Sequence, residues 1–295
     1  MNRSAFLSAL VAASLAASCG DSPSPTAPGS STQSTPSGFS EAAFRQAAQV
    51  TAAAQIDARS AARPGLYERD LKTTIDLTFQ RLGSGAPAFS HIVASGSNTL
   101  EVHYAGDGRQ LADGDLVLID IGATIDGHCA DVTRTFPVSG QFTARQRELY
   151  DLALAAHQAV ERQARTGVDS LAGLHQWVKE YFRQSPLRAT DTSGVEQTMD
   201  RFFTYSIGHY VGRTVHGQDT GWSTQQPLQA GQVLAIEPGF YLPDEKLGVR
   251  VEDTFLVTSQ GLECLSCASS RMLGAAPPAL GLWRRSRYLA AGPNQ

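Results

Sequence analysis

The chain has 295 residues, 42% of them apolar, enough to bury the core of one large globular domain or two small ones. Its 24 Lys and Arg residues against 28 Asp and Glu give a net charge of -4, and no basic stripe runs along it, which argues against a nucleic-acid partner.

The first residues, MNRSAFLSALVAASLAASCG, place Arg3 ahead of an apolar run from Ala5 to Ala17 that is too short to cross a bilayer as a helix. It reads as an export signal. Ala16, Ala17 and Ser18 precede Cys19, an arrangement that resembles a bacterial lipoprotein signal, although Leu15 stands one place earlier than the usual leucine. The resemblance implies cleavage before Cys19, acylation of its thiol and a cell-envelope location, with plain periplasmic export or secretion as the alternative. Residues 20–38 carry four prolines among many Ser and Thr and cannot bury a core, so they read as a flexible tether. With Cys19 acylated, Cys129, Cys264 and Cys267 remain. The Cys-x-x-Cys spacing of the last two allows an oxidised pair but, without a second pair or a His cluster, is weak evidence for zinc.

The folded domain is expected over residues 39–270. An Ala-rich stretch from Ser40 to Ala62, closed by Arg63-Pro64-Gly65, has the punctuation of a helix, and a second helix follows from Leu66 to Leu82. Short strands are predicted at Ile92–Ser97 and Glu101–Tyr104, then a turn at Asp113-Gly114 leads into a hairpin, LVLIDIGATIDGHCADVTRT. Apolar residues Leu149, Leu152, Ala153, Ala156 and Val160 repeat at helical spacing within Thr143–Arg165, and a further helix covers Leu171–Phe182. The polar stretch Ser185–Asp200 is predicted to be a loop. Residues 271–295, rich in Pro and Arg, form a loosely ordered tail.

The second half repeats the first. Leu111–Gly122 overlays Leu228–Gly239 without a gap, so that Asp120 falls on Glu237, and Asp131 and Thr133 fall on Glu252 and Thr254 at a slightly larger offset. Each half reads as two helices followed by a β-hairpin, which predicts a duplicated α+β domain with pseudo-twofold symmetry. Asp120 and Asp131 lie on one face of the first hairpin. A turn at Asp126-Gly127 makes them diagonal neighbours roughly 7–8 Å apart; a turn one residue earlier makes them directly opposite. Glu237 and Glu252 occupy the second hairpin in the same way, with a longer loop through Pro243 to Lys246. Four converging carboxylates repel by several kcal/mol per close pair at an effective dielectric of about 20. Arg134 and Arg250 are too few to neutralise them, so two divalent cations are predicted. A nitrogen ligand, sought in SIGHYVGRTVHG at His209 or His216, shifts the preference toward manganese, cobalt, iron or zinc.

The ordered set Asp120, Asp131, His209, Glu237 and Glu252 resembles the five-ligand dinuclear site of the pita-bread metallopeptidases, the class of methionine aminopeptidase, aminopeptidase P, prolidase and creatinase. Asp-x-Thr-Arg-Thr-Phe, Gly-His-x-x-Gly, Ile-Glu-Pro-Gly and Arg-x-Glu-Asp occur in the expected order. The resemblance implies a pita-bread fold, present here as the catalytic domain alone. It also implies that Asp131 and Glu252 bridge two ions, Mn2+ by preference, with Co2+, Zn2+ or Fe2+ as alternatives. Asp120 would bind one ion, and His209 with Glu237 the other.

The segment ASGSNTLEVHY and the pairs His103-Tyr104 and Val215-His216 are similar to the proline-directed branch. That branch implies an Xaa-Pro aminopeptidase that attacks the bond before proline with a hydroxide held between the ions. Its substrates would be peptides with proline in second place; a homodimer stays open, and membrane contact is expected only through a lipid anchor. His103 and His216 would hydrogen-bond the substrate and the tetrahedral oxyanion, Glu237 would also move the proton, and Arg250 would orient Asp120. Gly217 departs from the pattern, since many relatives carry Asp there. The same ligands suit an Xaa-Pro dipeptidase or another amide hydrolase. A non-catalytic peptide-binding protein is the remaining alternative, disfavoured because all five ligands are present.

Overall fold

The computed structural model describes residues 38–267. Cys19, the tether up to residue 37 and the tail from 271 lie outside the described residues. In chain order the elements are α1 (Glu41–Ala61), α2 (Glu68–Arg81), β1 (Ile92–Ser95), β2 (Leu116–Ile121), β3 (Thr124–Ile125), β4 (His128–Cys129), β5 (Val132–Pro137), α3 (Ala144–Gln163) and α4 (Leu171–Gln184). There follow β6 (Arg188–Thr190), β7 (Glu196–Thr198), β8 (Gly208–Tyr210), β9 (Val233–Ile236), β10 (Gly239–Leu242), β11 (Leu247–Arg250), β12 (Asp253–Thr258) and β13 (Gly261–Cys264).

Three helices start on residues whose side chains accept a free backbone N–H: Ser40 for α1, Thr143 for α3 and Ser170 for α4. α2 begins two residues later than Leu66, because Leu66 and Tyr67 are drawn into backbone pairing with residues 109–111 instead. The buried face of α1 is largely alanine, including Ala47, Ala48, Ala54 and Ala58, so the helix can lie close to the sheet. Gln55 exploits that proximity: its side-chain amide donates to the carbonyls of Ile119 and Val132, at 3.0 and 2.8 Å, pinning α1 to the central hairpin.

The two halves match in topology. In the first, β1-β2-β5 form an antiparallel sheet in that order; in the second, β8-β9-β12 do the same, with β13 added at the edge. The first hairpin turns at Asp126-Gly127, both with positive φ (48° and 74°), which is the two-residue geometry that follows the strands' own twist. Asp120 therefore sits opposite Thr133, leaving Asp131 diagonal to it, the first of the two geometries expected. In the second hairpin Ile236 faces Asp253 and Gly239 faces Arg250, a single register that sets Glu237 directly opposite Glu252.

The hairpins meet side by side. Thr254 Oγ1 donates to the Asp131 carbonyl and accepts its N–H (2.8 and 2.9 Å), Thr133 Oγ1 donates to Glu252 Oε2 at 2.6 Å, and Thr135 Oγ1 donates to the Arg250 carbonyl at 2.9 Å. The duplication sends Asp131 to Glu252 and Thr133 to Thr254, so the Asp131–Thr254 and Thr133–Glu252 contacts exchange with each other. That exchange is the pseudo-twofold axis.

Two expected elements differ. Glu101–Tyr104 is not a strand: a short 3-10 turn over Gly96–Leu100 docks Thr99 against the Gly248 N–H (2.8 Å) and lifts the following residues off the sheet. Ser185–Asp200 is not a plain loop; it holds the β6-β7 hairpin, whose turn is organised by Asp191 accepting the N–H groups of Ser193 and Val195. Among the described residues no helix is long and apolar enough to cross a membrane.

Candidate metal centre and its cavity

The carboxylates emerge where apolar strands end. β2 is buried along its whole length and delivers Asp120; Asp131 immediately precedes β5; Glu237 immediately follows β9; Glu252 separates β11 from β12. His209 enters from β8, where it pairs with Ala235. Its neighbour Gly208 lies so close to the Ala235 carbonyl that a Cβ would collide with it, which explains the glycine in this strand.

Ligand atoms of Asp131, His209 and Glu252 all lie within 4.8 Å of one another. His209 Nε2 is 3.4 Å from Asp131 Oδ2 and 3.7 Å from Glu237 Oε1. Asp120 completes the group, held by Arg250 Nη2 at 2.6 Å from Oδ2. All five predicted ligands are brought together.

The electrostatics are those of a site built for cations. Burial, then the charges of Glu252 and Asp120, push the Asp131 carboxyl well above its usual range. Burial and Glu252 do the same to Glu237, and burial with Asp120 raises Glu252 to about 7. Asp120 Oδ1 and Asp131 Oδ1 are buried with no hydrogen-bond partner among the described residues. Arg134 brings no relief, because its guanidinium is turned to Asp253 (2.5 Å) and to the Glu252 carbonyl. A buried cluster of oxygens with one imidazole, two orphaned acceptors and a single facing guanidinium fits divalent cations of the manganese-to-zinc group.

Arg250 takes the expected place and more. Beyond Asp120 it donates from Nε to Thr133 Oγ1 at 3.0 Å and from Nη1 to the Tyr241 hydroxyl. Thr133 in turn donates to Glu252, so one guanidinium fixes ligands from both hairpins. Burial opposes its charge, but Tyr241 and Asp120 prevail and hold its pKa above the ordinary value. Tyr205 adds a further brace by donating to the Glu237 carbonyl at 2.8 Å. Thr133 stands out in sequence through the Asp-x-Thr-Arg-Thr-Phe motif and its match to Thr254 in the repeat, whereas Tyr205 and Tyr241 carry no distinctive spacing.

A cavity of about 390 Å³ opens on the centre, with Asp120, Asp131, His103 and His216 in its wall. The His216 ring stands edge-on to His209, centroids 4.7 Å apart, and burial followed by His209 and His103 lowers its pKa, so it is neutral at pH 7. A larger cavity of about 760 Å³ beside His175, Lys179 and Tyr205 contains none of the five ligands. The smaller one is therefore the candidate site.

Cys264 and Cys267 are joined as a disulfide, so the nearby Asp253 gains no thiolates with which to bind a metal. Cys129 is a buried free thiol.

The sequence profile of metallopeptidase family M24 matches residues 42–259, about three quarters of the chain. The chain belongs to metallopeptidase family M24. Among M24 relatives, the Xaa-Pro aminopeptidase of Escherichia coli is 34% identical over 77% of this chain and 55% of its own, and the Xaa-Pro dipeptidase of Pyrococcus furiosus is 32% identical over 71% and 56%. A structure of E. coli aminopeptidase P with the inhibitor Pro-Leu superposes with a TM-score of 0.71 at 32% identity, covering 80% of this chain and 57% of that one. The fold is thus the pita-bread fold of aminopeptidase P. The chain spans little more than half the length of these M24 relatives.

Proposed function

We propose that this protein is a metal-dependent Xaa-Pro aminopeptidase that acts outside the cytoplasm. The observation that carries the reading is the convergence of all five acidic and imidazole ligands beside a cavity whose wall holds Asp120, Asp131, His103 and His216. Two divalent ions held by Asp120, Asp131, His209, Glu237 and Glu252, manganese by preference, would supply a nucleophile at neutral pH and polarise the scissile carbonyl. Glu237 would accept the proton given up by the nucleophile and pass it to the leaving proline nitrogen. His216 and His103 donate to the peptide and to the oxyanion that develops; one such donor is worth about 3–4 kcal/mol in comparable enzymes. Arg250 holds Asp120 in position throughout, and Thr133 does so for Glu252.

An Xaa-Pro dipeptidase is the second reading, favoured by the similarity to the P. furiosus protein. Export as a lipoprotein acylated on Cys19 is supported by the signal-like first residues and by the Cys264–Cys267 disulfide, a bond at home in an oxidising compartment. The test is incubation with Mn2+ and a panel of Ala-Pro, Ala-Pro-Ala and Met-Ala-Ser. Release of alanine from Ala-Pro-Ala, with Met-Ala-Ser intact, is expected. Cleavage of Ala-Pro alone selects the dipeptidase, and no cleavage with manganese, cobalt, zinc or iron refutes both.

A further inference from the structure

Lys72 stands on α2 at the wall of the reaction cavity, the one lysine or arginine among the described residues lining it. It is half-buried, and its ammonium makes one hydrogen bond, to the Gly106 carbonyl at 2.9 Å. Helix geometry offers it two carboxylate neighbours, Glu68 one turn before and Asp76 one turn after. Both are committed elsewhere. Glu68 is fully buried and accepts from Ser95, Asn98, Tyr104 and the Arg109 N–H, while Asp76 is held by His91 Nε2 at 3.0 Å. No carboxylate among the described residues lies within ion-pair distance of Lys72. A half-buried cation left without a counter-charge, in a cavity otherwise lined by acids and imidazoles, awaits an anionic ligand.

A peptide bound for cleavage before proline places its N-terminal end at the metal centre and extends its C-terminal side away from it. Two divalent ions balance the four acids of the centre, which leaves Lys72 as the unbalanced charge among the described residues lining this cavity and the favourable place for a C-terminal carboxylate. At about 390 Å³ the cavity is near the small end of ligand sites, with room for little beyond the residues flanking the scissile bond. We infer that Lys72 binds the free α-carboxylate of short peptides that end one or two residues beyond the scissile bond, and so sets the enzyme's preference for peptide length. This inference rests on the peptidase reading above; Lys72 is a specificity residue and takes no part in the chemistry.

The experiment compares Ala-Pro-Ala with its C-terminal amide, Ala-Pro-Ala-NH2, in wild type and in Lys72→Gln. Glutamine keeps a donor for the Gly106 carbonyl and loses the charge, which separates carboxylate binding from tethering of the 101–109 segment. Wild type is expected to favour the free acid by about tenfold in kcat/KM, through KM. Lys72→Gln should lose that preference while cleaving the amide at the wild-type rate, and Lys72→Arg should restore it. Equal use of acid and amide by wild type overturns the inference, as does a Lys72→Gln defect of the same size on both substrates. Calorimetric titration of the metal-loaded protein with Pro-Ala and Pro-Ala-NH2 gives a second reading that needs no turnover. If no peptide is cleaved but Pro-Ala still binds about tenfold tighter than its amide, and Lys72→Gln abolishes the difference, the peptidase reading fails and the carboxylate site stands; equal binding sinks the site.

Discussion

Replacing Glu252 by Gln in metal-depleted protein should flatten the pH dependence of its stability between pH 5 and 8. In the unfolded chain this carboxyl ionises near 4.5, whereas burial and the charge of Asp120 hold it protonated up to about 7 in the fold. The native state therefore binds the proton more tightly than the unfolded state does. Stability falls as pH rises through that window, and the full loss is present above pH 7. At about 1.4 kcal/mol per pKa unit the shift amounts to roughly 3 kcal/mol, most of it developed between pH 5 and 8. For a domain of this size that is roughly 6–12 °C in melting temperature. The substituted glutamine cannot ionise, yet its amide oxygen can still accept from Thr133, so the variant keeps the packing and loses the Glu252 part of the slope, while Asp131 and Glu237 retain theirs. His157, which burial lowers to about 4, titrates alike in both proteins and cancels from the comparison. The assay is calorimetric unfolding at several pH values after chelation and dialysis. Adding Mn2+ should abolish the wild-type slope by giving the carboxylate its counter-charge. Parallel pH profiles for wild type and Glu252→Gln would refute the claim that these acids are strained together in the absence of metal.

Arg250→Met leaves Asp120 buried without its partner and should cost the metal-free protein about 3–5 kcal/mol in urea unfolding; a loss under about 1 kcal/mol would show that the guanidinium does not hold the site. Asp131→Ala removes the carboxylate shared between the hairpins and should lower manganese occupancy, measured by elemental analysis, and turnover by orders of magnitude; near-normal turnover would contradict its bridging position. Growth of an expressing strain with radioactive fatty acid should label wild type and not Cys19→Ala; unlabelled wild type would end the lipoprotein reading.

What could be read from the chain was set by local rules. Helix starts at Ser40, Thr143 and Ser170 and the Asp126-Gly127 turn follow from backbone chemistry that acts over a few residues, and the structure keeps them. Glu101–Tyr104 escaped those rules because a contact between Thr99 and Gly248, far apart in sequence, pulls the segment off the sheet. The fate of Leu66 and Tyr67 was decided in the same way, by residues 109–111. Lys72 was invisible for a related reason. On sequence it is a lysine with acids one turn away on either side, the ordinary pattern of a solvated helix face, and only the tertiary structure shows both acids engaged by other partners.

The duplication explains why four ligands were legible from internal comparison and the fifth was not. The two halves align acid on acid, so Asp120 announces Glu237 and Asp131 announces Glu252. The sheet registers extend the comparison: β1 pairs Ala94 with Leu118, and β8 pairs His209 with Ala235, the residue that the repeat matches to Leu118. Ala94 thus occupies in the first half the place that His209 occupies in the second. By the same mapping Arg250 corresponds to Cys129, a buried free thiol far from any role in the centre. The imidazole and the guanidinium are both contributions of the second half alone. A symmetric pair of hairpins accounts for a four-carboxylate cage, while these two residues break the symmetry, placing a nitrogen ligand beside Glu237 and a fixed cation on Asp120. Chemistry on a peptide, which has different ends, requires that the two sides of the cage differ, and the asymmetry sits where the repeat fails.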